Sequence, residues 1–433
     1  MDRCVHEKVK DIHLQALLDL QRPVVFSPLH PKEIEPLLTE AHEAVSTLLP
    51  EPKPGRAACF VRLGVCHKRI TDHEDLKLVR RKLCCKTCNQ EAKETQLLIC
   101  GRCASVMYCN EECQKRDFKN HRDQCVRIGA LKEQLKALSN QIENYQVPNK
   151  DTVVNLFTYP AGRFWTLPGT RMYCTVRSCL ADELASLGER YEVAWIAKRE
   201  LKHRLELLRL SSDDALQQRA MVPFILIRLD RLEDCFAFLK HWLCRVCYQR
   251  NVNRIHKKSK QGQWIYGSIR RDEMMLDLLQ MIPKASEVID LAHLAALCLL
   301  KLRIMAKVRV HDYVFAVFAR TRTGIKLGKV LQTIRYFYNR EAYQTSVKRQ
   351  HNYVQEYMTL LMQKNASLLP AILYPVPMLR QGRPRKIERG KPSEAWDTFR
   401  KCWRLFRRTP GTLKMLRDMF RCDVPVYDCY VES

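Results

Sequence analysis

The chain has 433 residues, with 74 Lys and Arg against 47 Asp and Glu, a formal net charge of +27. That length accommodates two or three units with real cores. Its 14 glycines, against a usual share of about 7 %, speak against Rossmann and phosphate-loop architectures, which need glycine at tight phosphate turns.

The opening MDRCVHEKVKDIHLQALL scatters charge and lacks the apolar run and small-residue cleavage site of a signal peptide. HPKEIEPLLTEAHEAVSTLL then carries apolar residues at helical intervals, with Pro31 in a first-turn position. PEPKPG, from Pro50 to Gly55, breaks that pattern as a linker, and AACFVRLGVCHKRI predicts a short strand pair. Residues 1–83 therefore read as an N-terminal helical segment and linker.

Between Cys84 and Cys125 the chain places eight of its 20 cysteines, and His121 among them. Without an export signal the expected compartment is reducing, the cytoplasm or the nucleus, where clustered thiols mean metal rather than disulfides. From Cys85 the pattern is C-x2-C, x11, C-x2-C, x5, C-x3-C, x7, H-x3-C. The eight candidate ligands are Cys85, Cys88, Cys100, Cys103, Cys109, Cys113, His121 and Cys125, enough for two tetrahedral zinc sites. Thiolate and imidazole donors favour zinc over calcium or magnesium. With four protein ligands per ion no position is open for a catalytic water, so both zincs are structural. Cys109/Cys113 and His121/Cys125 read as successive helical turns after a short LLIC…VMYC β-hairpin. Cys84 is the odd thiol, because its use would lengthen the first knuckle.

The ending YC-x3-CQ-x2-D-aromatic-x2-H-x3-C resembles the MYND zinc finger over residues 85–125. The resemblance implies a cross-brace, with Cys85, Cys88, Cys109 and Cys113 on one zinc and Cys100, Cys103, His121 and Cys125 on the other. It also implies an adaptor that binds short proline-containing peptides, with Gln114 and Phe118 forming the groove. Phe118 stands where the family has tryptophan; it keeps an aromatic wall and lacks the indole N–H donor. Simple packing of the finger's last helix is the competing role for Phe118. About 40 residues cannot bury a sufficient core, and metal binding supplies the missing folding free energy, on the order of 10 kcal/mol per zinc.

After the finger, Ile128, Leu131, Leu135, Leu138, Ile142 and Tyr145 recur by threes and fours. Such a stripe forms either a short coiled-coil seam or a face packed on the chain's own helices, and fewer than three heptads favours the second. Residues 126–165 read as a connecting helix and linker. From 166 to 433 the pattern is all-α. LADELASLGERYEVAWIAKRELKHRLELLRLSSDD pairs two amphipathic stretches around Gly188, with Tyr191 and Ala194 opening the second, as in a tetratricopeptide-like hairpin, and MVPFILIRLDRLEDCFAFLKHWL repeats the idea 41 residues on. NRIHKKSKQGQW and YPVPMLRQGRPRKIERGKP read as loops. Cys235, His241, Cys244 and Cys247 fall along an apolar helix and read as buried thiols rather than a third metal site. The run from Leu291 to Leu300 is too short for a membrane span and predicts a buried helix.

The fold class expected is mainly α, with the finger set between an N-terminal helical segment and a larger helical-repeat-like domain. No SET-domain motif, G-x-S-x-G elbow, phosphate loop or His-Glu-x-x-His helix is present, which makes an enzyme the disfavoured class. The expectation is a non-enzymatic adaptor with a protein partner and no membrane association. The alternative is a nucleic-acid-associated regulator. Residues 299–433 hold 27 basic against 10 acidic side chains, and QGRPRK contains Gly-Arg-Pro, the centre of an AT-hook-like element, although a basic linker is the commoner meaning.

Overall fold

The computed structural model describes residues 83–90, 97–147, 151–157, 162–211, 213–248, 271–282, 284–306, 342–409 and 411–420. The helix expected over 30–49, the PEPKPG linker, the strand pair over 57–70, the loop over 253–264 and the Cys247 side chain lie outside the described residues. The rest is mainly α-helical.

Two short strands, β1 (Leu98–Ile99) and β2 (Met107–Tyr108), pair antiparallel with Leu98 opposite Tyr108. They lead into α1 (Glu111–Glu143), a 33-residue helix. Asn110 caps it, its side chain accepting from the Cys113 amide at 2.9 Å, and Glu111 and Glu112 complement the positive helix end. The cap places Cys109 just before the helix rather than on it, a correction to the reading of Cys109 and Cys113 as successive helical turns. The finger's last helix and the connecting helix are one element. Its stripe packs on the chain itself: Ile128 and Ile142 are buried, and Leu131, Leu135 and Leu138 are partly so. Tyr145 lies beyond the helix in β3 (Tyr145–Gln146), which pairs with β4 (Val153–Val154).

Helix α2 (Pro168–Tyr191) packs on α1, and α3 (Ala194–Leu210) packs back on α2. The turn falls at Glu192, in a left-handed conformation with φ 50°, and Val193. Ala194 opens the second helix as expected, whereas Tyr191, expected beside it, ends the first. Gly188 stays helical because its value lies in close packing: a Cβ there would sit 3.4 Å from the Ile196 Cγ2.

Beyond the hairpin come α4 (Val222–Arg228), α5 (Leu232–Tyr248), α6 (Leu278–Met281), α7 (Ala285–Val288) and a helix α8 over 291–306. Then follow α9 (Ala342–Lys364), α10 (Leu368–Leu373), α11 (Pro375–Arg380), α12 (Pro392–Arg408) and α13 (Thr412–Phe420). The apolar run at 291–300 is buried on every side of α8, and Cys235 is buried in α5 with its thiol toward the Pro223 carbonyl. Among the described residues no helix is long and apolar enough to cross a membrane.

The chain divides into two compact units. One comprises Lys77–Leu300, Gln355–Arg408 and Thr412–Ser433; the other comprises Met1–Leu76, Lys301–Val354 and Thr409–Gly411. In the second, Lys301 is buried and its ammonium lies over the Tyr353 ring at 5.4 Å. The first contains the finger and the α2–α3 hairpin.

A polar network crosses the hairpin's interior. Arg204 donates to Glu200 at 2.9 Å, to Gln218 at 2.8 Å and to Asp182 at 3.0 Å, while Arg228 pairs with the other oxygen of Glu200. Arg204 and Glu200 are each about 1 % exposed. Gln218 extends the network to Ser178 at 3.0 Å. These bonds tie α2, α3, α4 and the turn at Gln218–Ala220 into one body.

Candidate metal centre

The two C-x2-C knuckles share one backbone plan. In the first, the Asn89 amide returns to the Cys85 carbonyl at 2.9 Å; in the second, the Ala104 amide returns to the Cys100 carbonyl at 2.8 Å. The residue after the second cysteine is left-handed in both, Asn89 at φ 58° and Ala104 at φ 50°. Asparagine tolerates that region, whereas alanine is held there at a cost of about 1–2 kcal/mol. Arg199 of α3 supplies part of the hold, bonding the Ala104 carbonyl and the Ser105 hydroxyl.

These turns, the hairpin and the first turns of α1 gather the eight candidate ligands into two groups. Cys85, Cys88, Cys109 and Cys113 form one; Cys100, Cys103, His121 and Cys125 form the other, with the ligand atoms of each group within 4.8 Å of one another. Cys84 belongs to neither. Along the sequence the groups alternate in pairs, so each ion would cross-link segments that the other also ties.

The donor separations fit zinc. Cys88 and Cys109 sulfurs are 3.6 Å apart, Cys109 and Cys113 3.5 Å, and Cys100 and Cys125 3.5 Å. The Cys103 sulfur lies 3.4 Å from His121 Nε2. Tetrahedral coordination with Zn–S of about 2.3 Å and Zn–N of about 2.0 Å requires edges of roughly 3.8 Å between sulfurs and 3.5 Å between sulfur and nitrogen. These four edges are within about 0.3 Å of those values, and every pair of donors in a group lies within 4.8 Å.

Electrostatics point the same way. In the first group burial opposes ionisation of Cys85, yet the Cys88, Cys109 and Thr87 backbone groups draw its pKa down to about 6. Cys109, hydrogen-bonded to Cys113, is pushed up to about 12. In the second group burial, with Cys100 and Cys103 beside it, pushes Cys125 up to about 12. Neighbouring thiols cannot all ionise without a cation between them. Burial lowers the His121 pKa, keeping the neutral imidazole that ligates metal. The second group is buried at all four positions, while Cys88 of the first is exposed. A zinc ion in each group would supply folding free energy and cross-linking, and the protein's own amides and knuckle turns preset the donors.

Behind the donors, Tyr108 is fully buried and donates to Asp117 at 2.9 Å. Burial, reinforced by Asp117, keeps its hydroxyl protonated. Tyr108→Phe orphans that largely buried carboxylate. It is expected to lower unfolding stability by about 1.5–3 kcal/mol in chemical denaturation, with zinc content unchanged.

The finger does not stand alone. Its cysteines share a core with Leu180, Leu184, Leu187, Tyr191 and Ile196 of the hairpin. Gln124 donates to the Glu183 carbonyl at 3.2 Å, Arg127 pairs with Glu183 at 2.8 Å, and Arg190 donates to the Asn120 carbonyl at 3.2 Å. The spacing of 180, 184, 187 and 191 marks one helical face in the sequence, but nothing in that spacing says that the finger covers it.

Gln114 and Phe118 occupy successive turns of α1. Gln114 is half-buried, whereas Phe118 is 55 % exposed, and so are the strand residues Leu98 and Ile99 at 47 % and 42 %. Packing of the finger's helix therefore does not account for Phe118.

Residues 85–125 match the family model of the MYND finger. No curated protein and no solved structure matches the chain. Residues 85–125 are a MYND finger, a module that commonly mediates protein–protein interaction, with two Cys/His clusters that fit two zinc ions.

Proposed function

We propose that the protein is a non-enzymatic adaptor that captures a short, proline-containing peptide on the finger. The observation that carries this reading is the exposed Phe118 ring, one turn after Gln114 on a helix fixed from behind by both clusters. A large apolar ring held in water on a rigid support offers area for a partner at little ordering cost. Gln114 would supply donor and acceptor for the peptide backbone. Proline suits such a wall because its extended form is preset and loses little entropy on docking.

The antiparallel helices that follow the finger would act as a degenerate tetratricopeptide-like array and offer a second protein surface. Reduced thiolate ligands suit the cytoplasm or the nucleus. In a titration of the full chain with proline-containing peptides, Phe118→Ala is expected to lower affinity at least tenfold while two zincs remain bound. Equal affinity for both proteins removes Phe118 from the groove.

A further inference from the structure

The most concentrated charge of the described chain lies far from Phe118 in sequence. Residues 380–408 hold 11 basic and 3 acidic side chains, in the loop after α11 and in α12. The carboxylates there are all engaged locally. Glu388 pairs with Lys386 at 2.8 Å, Asp397 pairs with Lys401, and Glu394 accepts from the Gly390 amide at 2.8 Å. Arg404 and Arg408 are partly neutralised by Glu189 and Glu192 at the end of α2, at 3.2 and 2.6 Å. What faces water is cationic: Arg380, Arg383, Arg385, Arg389, Lys391 and Arg400 are exposed and, among the described residues, pair with no carboxylate.

Aromatic rings are interleaved with these cations. Trp396, Arg400, Trp403 and Arg407 follow one another at intervals of four, three and four, which aligns them along one face of α12. The Arg400 guanidinium lies over the Trp396 ring at 5.8 Å, and Arg404 over the Trp403 ring at 5.8 Å. Both indoles are half-buried, Trp403 stacking on the buried Phe399 at 5.7 Å and 13°. The adjoining face, with Phe399, Cys402 and Phe406, is in the core. The Trp396 indole N–H donates to the Gln381 carbonyl at 3.1 Å, which fastens the start of the Gly-Arg-Pro-Arg loop beside the first ring. The Asn365 amide holds the loop's far end at the Lys391 carbonyl, 2.9 Å away. Loop and helix face form a single platform.

We infer that this platform binds single-stranded nucleic acid. The cations of the loop and of α12 follow the phosphates, and unpaired bases stack on the arginine–indole pairs that Arg400 makes with Trp396 and Arg404 with Trp403. The two rings are separated by seven residues, about 10 Å along the helix, so separate bases of one strand can reach them. Aromatic planes and arginine forks are the chemistry that single strands use, because every unpaired base has an exposed π-face. A duplex hides those faces in its stack, and a purely acidic peptide such as polyglutamate has no ring to set against the indoles. The inference stands independently of the peptide groove on the finger.

The test is fluorescence anisotropy of the full chain with labelled ~20-nucleotide pyrimidine-rich RNA and DNA strands, their duplexes, and polyglutamate as competitor. Four or five phosphate contacts give a slope of log affinity against log salt of about −3. Arg385→Ala combined with Arg400→Ala is expected to lower affinity at least tenfold and to flatten the slope by about 1.4. Trp403→Leu, which keeps the packing on Phe399, is expected to weaken binding with the slope unchanged. Comparable RNA and DNA affinities identify a general single-strand binder, and a preference for RNA identifies contacts to the 2′-hydroxyl; both support the platform. Lys119→Ala with Lys136→Ala, on exposed positions of α1, should leave affinity as it was. A slope near zero overturns the inference, as does polyglutamate competing as well as the oligonucleotide. Equal binding of duplex, or equal loss in the α1 control, also overturns it.

Discussion

Cys103→Ser is expected to reduce bound zinc to about one ion per chain or fewer, and to loosen the helical hairpin as well as the finger. Cys103 is fully buried, its sulfur accepts from the Ser105 amide at 3.4 Å, and it lies against His121. A serine hydroxyl is shorter, harder and not ionised near neutral pH, so the tetrahedral set loses a donor that no neighbouring side chain replaces. Structural zinc contributes on the order of 10 kcal/mol to the fold of such a module, more than the stability of most small domains.

The damage spreads because the finger's cysteines share their core with Leu180, Leu184, Leu187 and Ile196. Loss of the finger would expose that face of α2 and α3 to water. Metal analysis and hydrogen exchange check the expectation together. Wild-type zinc content would mean that Cys103 is no ligand. Lost zinc with unchanged protection along α2 would mean that the finger and the hairpin do not stabilise each other.

Glu200→Ala is expected to cost about 3–5 kcal/mol of unfolding free energy, a large fraction of a typical domain's stability. Glu200 is the one carboxylate shared by Arg204 and Arg228, and it is about 1 % exposed. Its removal leaves the Arg204 guanidinium buried, with only Gln218 and the largely exposed Asp182 to compensate, and takes the carboxylate from Arg228 as well. The double variant Glu200→Met with Arg204→Met removes the more deeply buried of the two arginines together with the carboxylate, leaves Arg228 alone without it, and is expected to cost less than the single change. Urea unfolding of the three proteins decides it. If the double variant is the less stable of the two, side-chain packing rather than unpaired charge sets the cost.

The finger was legible in the sequence because metal coordination is a short-range, quantised requirement. Four donors must meet at bonding distance around one ion, and only a few loop lengths permit that. The eight ligand positions and the β-hairpin could therefore be stated from spacing, with the pairing of ligands supplied by family resemblance. Capping is more local still: Asn110 starts the helix, so Cys109 lies before it although the x3 spacing to Cys113 also suits a helical turn. The reversal at Glu192 is not readable from Gly188 for a different reason. Glycine marks both chain reversals and close helix contacts, and only the position of Ile196 tells which of the two Gly188 serves.

The donor set, the helical class and the charge excess are readable along the chain, since each depends on residue identity and near-neighbour spacing. Tertiary structure alone decided which surfaces meet. It placed the finger on α2 and α3, left Phe118 in water, buried Glu200 with two arginines, and set the Gly-Arg-Pro-Arg loop beside Trp396. The physical reason is that burial and charge pairing depend on what lies across an interface, and an amphipathic face carries no record of its partner.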